Sequence, residues 1–448
     1  MPSETTELQT HERSDDEDQE DHQSEASTTS TDANEHESFE TYQHRVLELC
    51  RLIWSGLPDA SFDVQRLAGG ANNRIIGIKV SDHGSNPSHP ESATPRRSLH
   101  GHTLSEPGSL PPGAGDYILR VPRGYEDSCE HEVAMLRFIR NRISYPVPTV
   151  AYFDLSQENP IESPFVIQYR IPGRRLDEAW PLLSQPQRCL IALDMARLCN
   201  ELVRITNLTG GIPVLKSSMP EHGSIETTDY PFPQDQAQKE PKGSLEPVSM
   251  LSDRLARWPD KNLSDDEISP YIGAIEMVGH MQDTRQTFQP RDLNHKRPLF
   301  YLNHGDLFPR NIMIETSSPN TAFITGILDW DNADFAPGVI SLSPPAWLWK
   351  PGFWKYSDDS GYMEEEDLWR DAHAEPDNEE ARELKNLFDA SVTPLFLHHA
   401  YSPDAYAARK IWNAAYESAA KTWVVDGLAD VYREWKASCQ EKEEDPAK

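Results

Sequence analysis

Between Tyr301 and Trp330 the chain sets out Asp306, then Asn311 five residues later, then Asp329 beyond an apolar stretch. Transfer of a γ-phosphoryl group needs little covalent help. It does need a carboxylate beside the acceptor hydroxyl and oxygen ligands for a magnesium ion bridging the phosphates. Asp306 fits the first role, and Asn311 and Asp329 fit the second as metal ligands. Pro309 restricts the loop from His304 to Asn311, so one tight turn can aim Asp306 at an acceptor and return the Asn311 amide to the metal side. His304 opens that loop and is counted with Asp306 in the catalytic group.

Residues this far apart need a scaffold. Asn311 to Ile314, then Ser317-Ser318-Pro319-Asn320, then Ala322 to Leu328 read as strand, turn and strand. Such a hairpin places Asp329 opposite Asn311.

At these residues the chain resembles the aminoglycoside phosphotransferase (APH) family. These are relatives of protein kinases with a catalytic loop H-G-D-x-x-x-x-N and a metal aspartate in the context I-x-D-W. The matching segments are His304-Gly305-Asp306-Leu307-Phe308-Pro309-Arg310-Asn311 and Ile327-Leu328-Asp329-Trp330-Asp331-Asn332-Ala333. Trp330 stands where protein kinases carry the phenylalanine of D-F-G, which favours the small-molecule branch. The resemblance covers roughly Phe62 to Trp349 apart from two insertions. It implies an α+β, bilobal, protein-kinase-like fold with a small β-rich N-terminal lobe and a larger, mainly helical C-terminal lobe. It also implies ATP and Mg2+ as cofactors and a hydroxylated small molecule as acceptor, without choosing that acceptor.

A nucleotide-binding lobe is then expected upstream. Phe62 to Leu67 alternates like a strand, Gly69-Gly70-Ala71-Asn72-Asn73 is a turn, and Arg74 to Val80 is extended again. Glycines allow backbone amides close to phosphate oxygens, although Gly-Gly before Asn is equally a hairpin signal. Gly69, Gly70 and Asn73 are the candidates here, and family members show a similar Gly-Gly-x-x-Asn turn. In the next strand, Tyr117 to Val121, Arg120 occupies the place where most kinases carry a phosphate-contacting lysine. Lys79 is its rival, but only nine residues separate it from Gly70, too few for a strand, a turn and another strand. Glu130 to Arg140 has helical spacing, so Glu132 can pair with Arg120 across the lobe. Pro146 to Val150 and Pro164 to Gly173 read as two further strands. By resemblance the second is the lobe junction, with Gln168 to Arg170 facing adenine through backbone groups.

In the C-terminal half, Gln187 to Val203 is an amphipathic helix, Asp377 with Glu380 suggests a capping box for Ala381 to Phe388, and Tyr406 to Trp423 reads as one long helix. Trp347, Trp349, Phe353 and Trp354 are either core or a stacking surface for an acceptor.

The organisation expected is an acidic disordered tail over 1–40, an N-terminal lobe over 45–170 with a disordered insertion at 81–115, a C-terminal lobe over 171–437 with another at 216–246, and a charged tail over 438–448. The tail and insertions are polar and poor in apolar residues, which cannot offset the entropy of ordering. A net charge of −31 argues against nucleic acid, whose phosphates need a basic face. An acidic run from Asp358 to Asp367 either attracts a cationic acceptor or is a solvated face. Five scattered cysteines without a C-x-x-C pair point to a reducing compartment and no zinc site. No signal-like leader and no apolar run of membrane length is seen, so the expectation is a soluble, cytoplasmic protein without membrane or obligate protein partner. The alternative function is a nucleotide-binding pseudoenzyme with a regulatory or scaffold role, motivated by Arg120 and the altered glycine turn. A protein kinase is disfavoured, because Asp329-Trp330 is not followed by glycine and no A-P-E follows.

Overall fold

The computed structural model describes residues 38–67, 73–81, 113–123, 128–216, 225–228, 250–252, 255, 265–284, 299–350, 372, 374–402, 404–416 and 422–444. Helix α1 (Phe39–Ile53) starts at the Ser38 cap, inside the segment expected to be tail. It is followed by β1 (Phe62–Arg66), β2 (Asn73–Val80), β3 (Gly115–Pro122), α2 (Ser128–Ile139), β4 (Val150–Asp154) and β5 (Phe165–Tyr169). The five strands form one antiparallel sheet in the order β1-β2-β3-β5-β4.

Strand alternation sorts the two faces of this sheet. Ile76, Ile78, Tyr117, Leu119 and Ile167 point one way and pack with Val46 of α1. The opposite parity, with Ile75 opposite Arg120 and Ile118 opposite Gln168, puts Asn73, Arg120 and Gln168 on the other face. The apolar face therefore fixes the register that aims the polar residues at α2. β4 begins at Val150 rather than at Pro146, because Pro146 and Pro148 have no N–H to give a ladder.

The chain then runs through β6 (Arg174–Arg175), α3 (Leu176–Ala179), α4 (Gln185–Leu202), β7 (Thr206–Asn207), β8 (Ile212–Pro213) and β9 (Thr227–Thr228). Next come α5 (Asp265–Thr284), β10 (Phe300–Asn303), β11 (Ile312–Ser318), β12 (Thr321–Ile327), β13 (Asp334–Pro337) and α6 (Gly338–Ser341). The last elements are α7 (Glu379–Ser391), α8 (Pro394–Ala400), α9 (Ala405–Tyr416) and α10 (Thr422–Glu444). The architecture is α+β, with an N-terminal antiparallel sheet ahead of a mostly helical region. The larger core gathers Met195, Leu198, Met277, Phe300, Ile312 and Trp330 from α4, α5 and the strands around the loop of interest.

Several boundaries depart from expectation. The described part of the 216–246 segment is structured: Thr227–Thr228 pair with Ile212–Pro213, and Asn207 holds Ile225 through both its backbone N–H and C=O. The cap of α7 is Asn378, whose Oδ1 accepts from Ala381 N at 2.8 Å, one residue later than Asp377. Asp and Asn serve equally as caps, so sequence alone does not separate neighbours. The long helix expected over Tyr406 to Trp423 is two helices, α9 and α10, and α10 continues to Glu444 through the first part of the expected charged tail. Trp347 and Trp349 are fully buried core residues, whereas Phe353, Trp354 and the 358–367 acidic run lie outside the described residues. Gly69, Gly70 and residues 82–112 lie outside them too.

Candidate active site

The loop between β10 and β11 is shaped by local chemistry. Gly305 has φ +78°, and a Cβ there would meet Asn332 O at 2.5 Å, so glycine is required on both counts. Asn303 Oδ1 accepts from Gly305 N at 3.2 Å, while its Nδ2 donates to Asp334 at 3.0 Å. Pro309–Asn311 close a short 3-10 turn that leads directly into β11.

Asn311 and Asp306 are brought together. Asn311 Nδ2 donates to Asp306 Oδ2 at 2.8 Å and to the Asp306 carbonyl at 2.9 Å. The other carboxylate oxygen, Oδ1, pairs with Arg310. The β11–β12 hairpin pairs Ile312 with Ile327, and Leu328 N donates to Asn311 O at 2.8 Å, which delivers Asp329 beside Asn311 as the hairpin reading required. Asp329 adopts φ +64°, a left-handed conformation that favours glycine and that aspartate tolerates better than most other residues. Trp330 locks the turn by donating Nε1–H to Ile327 O at 3.0 Å from a fully buried position.

His304 is bonded to backbone groups at both ring nitrogens. Its Nε2 lies 2.9 Å from Leu328 O, which can only accept, so Nε2 carries the proton. Nδ1 then accepts from Asp306 N at 3.3 Å. With both nitrogens spent on backbone and the ring centroid 4.4 Å from that of Trp330, His304 joins the Asp306 loop to the end of β12. Burial holds its pKa below the ordinary value, against the pull of Asp306 and Asp329, so the neutral ring is the stable form.

Arg120 is the hub of the second cluster. Its Nε forms an ion pair with Glu132 at 2.8 Å, and its Nη2 donates to Asp329 at 2.6 Å and to Asp331 at 3.0 Å. Burial alone would favour the neutral guanidine, but Glu132, Asp329 and Asp331 outweigh it and hold the pKa above its usual value. Burial raises the Glu132 pKa, with Arg120 pulling the other way. For Asp329, Arg120 overcomes burial and keeps the carboxyl below its usual range. Asp331 is pushed up to about 7 by burial, against Arg120 and with the neighbouring carboxylates. Lys79, four residues from Arg120's partner Ile75 and so about 13 Å away along the strand, is exposed and plays no part in this cluster.

Gln168 is held through its side chain as well as through the sheet. Its side chain donates to Glu132 at 2.7 Å, and its backbone lies between β3 and β4. The amides of the next two residues are also taken: Tyr169 N donates to Thr149 O and Arg170 N to Asp116 O, each at 2.9 Å. Asp331 was missed by sequence reasoning, as was Arg310. An acidic residue two places after Asp329 was the one available signal.

The profile of the phosphotransferase enzyme family (APH) matches residues 111–384, more than half of the chain. The chain belongs to that family. A 75-residue segment is 33% identical to altered inheritance of mitochondria protein 9, mitochondrial, of Eremothecium gossypii, covering 15% of this chain. The chain spans about 12% of the length of that curated relative. Among solved structures, aminoglycoside phosphotransferase APH(4)-Ia is 14% identical, with 88% of this chain and 98% of that one covered and a TM-score of 0.48. The streptomycin–ATP–APH(2'')-IIa ternary complex is 14% identical over 89% of this chain and 97% of the other, with a TM-score of 0.42. Among the described residues no helix is long and apolar enough to cross a membrane, and Cys50, Cys129, Cys189 and Cys199 are unpaired.

Proposed function

We propose that this phosphotransferase-family chain moves the γ-phosphate of ATP, with magnesium, to a hydroxyl of a small molecule. The observation that supports the reading is the bond from Asn311 to Asp306 in one loop, with Asp329 following Leu328, which the β11–β12 hairpin ties to Asn311. Three carboxylates surround one guanidinium nearby, a local charge surplus of up to two negative units that suits a divalent cation. Asn311 Oδ1 and the Asp329 carboxylate would hold magnesium, since both Asn311 hydrogens are already spent on Asp306. Magnesium bound there would supply neutralisation of the phosphate charge.

Asp306 receives the proton of the acceptor hydroxyl on its Oδ1 side, where the half-exposed Arg310 is its partner. Arg120 meets the phosphates, oriented by Glu132, which Gln168 steadies in turn. His304 fixes the backbone that carries Asp306. A cytoplasmic location belongs to this reading and rests on the scattered thiols.

One observation favours the regulatory alternative: Arg120 already occupies Asp329 at 2.6 Å. Turnover separates the two. Asp306→Asn is expected to lower ATP-dependent acceptor phosphorylation by about 100-fold or more with little change in nucleotide affinity, because the base acts on the acceptor. Asp329→Asn is expected to weaken magnesium-dependent ATP binding itself, read as lost thermal stabilisation. A magnesium-dependent ATP shift in wild type, with no phosphorylation across a broad screen of hydroxylated metabolites, would favour the regulatory role. Two variants indistinguishable from wild type in both assays would overturn the site.

A further inference from the structure

Asp331 takes no part in the chemistry just proposed, yet it stands where the two lobes meet. Its Oδ2 accepts from Asn73 Nδ2 at 2.8 Å and from Arg120 Nη2 at 3.0 Å. Asn73 is the first residue of β2, immediately after the glycine turn in sequence, and Arg120 lies on β3. One carboxylate beyond the catalytic hairpin therefore ties together two strands of the N-terminal sheet, across 258 and 211 residues of sequence.

The arrangement is poor value for stability alone. The Asp331 side chain is only 10% exposed, and its second oxygen, Oδ1, is buried without a hydrogen-bond partner. A buried carboxylate left half satisfied destabilises a fold. Its placement is better explained by what it does to Arg120.

Arg120 Nη2 is shared between Asp329 and Asp331. A metal ion held by Asp329, in the nucleotide site proposed above, would draw that carboxylate away from the guanidinium. Glu132 would remain on Nε alone, a single anchor about which a planar fork can pivot. A second anchor on Nη2, the neighbour of Nε on the same edge, fixes both its plane and its direction. We infer that Asp331 is a positioning residue that keeps Arg120 aimed at the nucleotide phosphates when Asp329 is committed to metal, and that fastens the strand behind the glycine turn to the same point. An ammonium group, being a compact point charge, needs no such second anchor. Asp331 is thus the companion of an arginine at a position where most kinases use lysine.

The test is a nucleotide titration of the full chain as wild type, Asp331→Asn, Arg120→Gln and the double variant. The probes are ATP with Mg2+ and, as a phosphate-free control, adenosine. Asp331→Asn should weaken Mg-ATP binding by about tenfold, the scale of one lost hydrogen bond to a charged group, and leave adenosine binding unchanged. The melting temperature should not fall, since the isosteric change removes a buried charge from a cluster with a negative surplus. In the Arg120→Gln background, Asp331→Asn should add no further loss. Additive losses, equal losses for ATP and adenosine, or a lower melting temperature with unchanged affinity would each overturn the inference. Wild type binding ATP with Asp331→Asn unaltered would remove this inference and leave the proposed function standing. Wild type binding no ATP would remove both.

Discussion

Among the described residues two arginines are buried, and they are buried in opposite ways. Arg120 has three carboxylates around it, and its charge is held in place by them. Arg409, on α9, has none among the described residues. Its Nε donates to Val339 O at 3.0 Å, and its Nη2 donates to Ala400 O at 3.1 Å and His399 O at 3.4 Å. Burial pulls its pKa down to about 9, with Tyr401 the lone opposing influence. Arg409 closes the orphan carbonyls where α6 and α8 end, a task of architecture. Arg120 sits among more carboxylates than its single charge balances, the setting that the proposed cation site requires.

The comparison breaks first on removal of each guanidinium. Arg120→Ala leaves Glu132, Asp329 and Asp331 facing one another and should cost about 3 to 5 kcal/mol, the scale for breaking a buried ion pair. Millimolar Mg2+ should recover part of that loss, because the ion restores the missing positive charge, while Mg-ATP affinity stays reduced. Arg409→Ala should cost about 2 to 4 kcal/mol through orphaned carbonyls and a cavity. No magnesium rescue is expected there, and the folded variant should bind Mg-ATP like wild type. Chemical denaturation with and without Mg2+ reads both. Equal rescue of the two variants, or of neither, would erase the distinction between them.

That distinction was half legible in the sequence. The catalytic loop and hairpin could be read because their signals are local: His304 to Asn311 is contiguous, and one turn joins it to Asp329. Arg120 and Glu132 could be paired because a strand leads directly into a helix of evident periodicity. Asp331 could not be assigned, since its two partners lie more than 200 residues upstream and an aspartate in a turn looks the same with or without them. Gln168 was placed on the right strand, but its side-chain bond to Glu132 was not foreseen. Parity puts its side chain on the Arg120 face, and only the register of β3 against β5 reveals that. Arg409 gave no signal, because a basic residue in a helix is ordinarily exposed and its three acceptors are backbone groups. The cap of α7 and the break between α9 and α10 fell within the usual ambiguity of element ends.

The Arg409 neighbourhood offers a pH test that the Arg120 cluster should not mimic. His399 is fully buried with neither ring nitrogen bonded, and its pKa is lowered to about 4 by burial first, then by His398 and Arg409. The fold therefore favours the neutral ring, while the unfolded chain takes up a proton below its ordinary pKa of 6.5. Stability is intact above that value and declines as the pH falls through the window from 6.5 to about 4. The loss should reach up to about 3 kcal/mol at the low end. His399→Phe should flatten that part of the profile in urea titrations at pH 7, 6 and 5. An unchanged slope in the variant would mean that the ring is not kept neutral by its surroundings.

The smallest effect probes the Arg120 side from its edge. Gln168 donates to Glu132 at 2.7 Å, and Gln168→Leu removes the donor while keeping most of the side-chain volume. The expected cost at pH 8 is about 1 to 2 kcal/mol, since a buried carboxylate loses one of its two supports. Burial raises the Glu132 pKa, so acid pH should protonate this group before an ordinary glutamate. A protonated carboxyl needs the donor less, and the cost of Gln168→Leu should shrink as the pH falls. No comparable pH dependence can come from the carbonyls around Arg409, which do not titrate. If the cost of Gln168→Leu is the same at pH 8 and pH 5, Glu132 is not carrying the charge that opposes Arg120. The excess of negative charge on which the contrast between the two arginines depends would then be smaller by one unit.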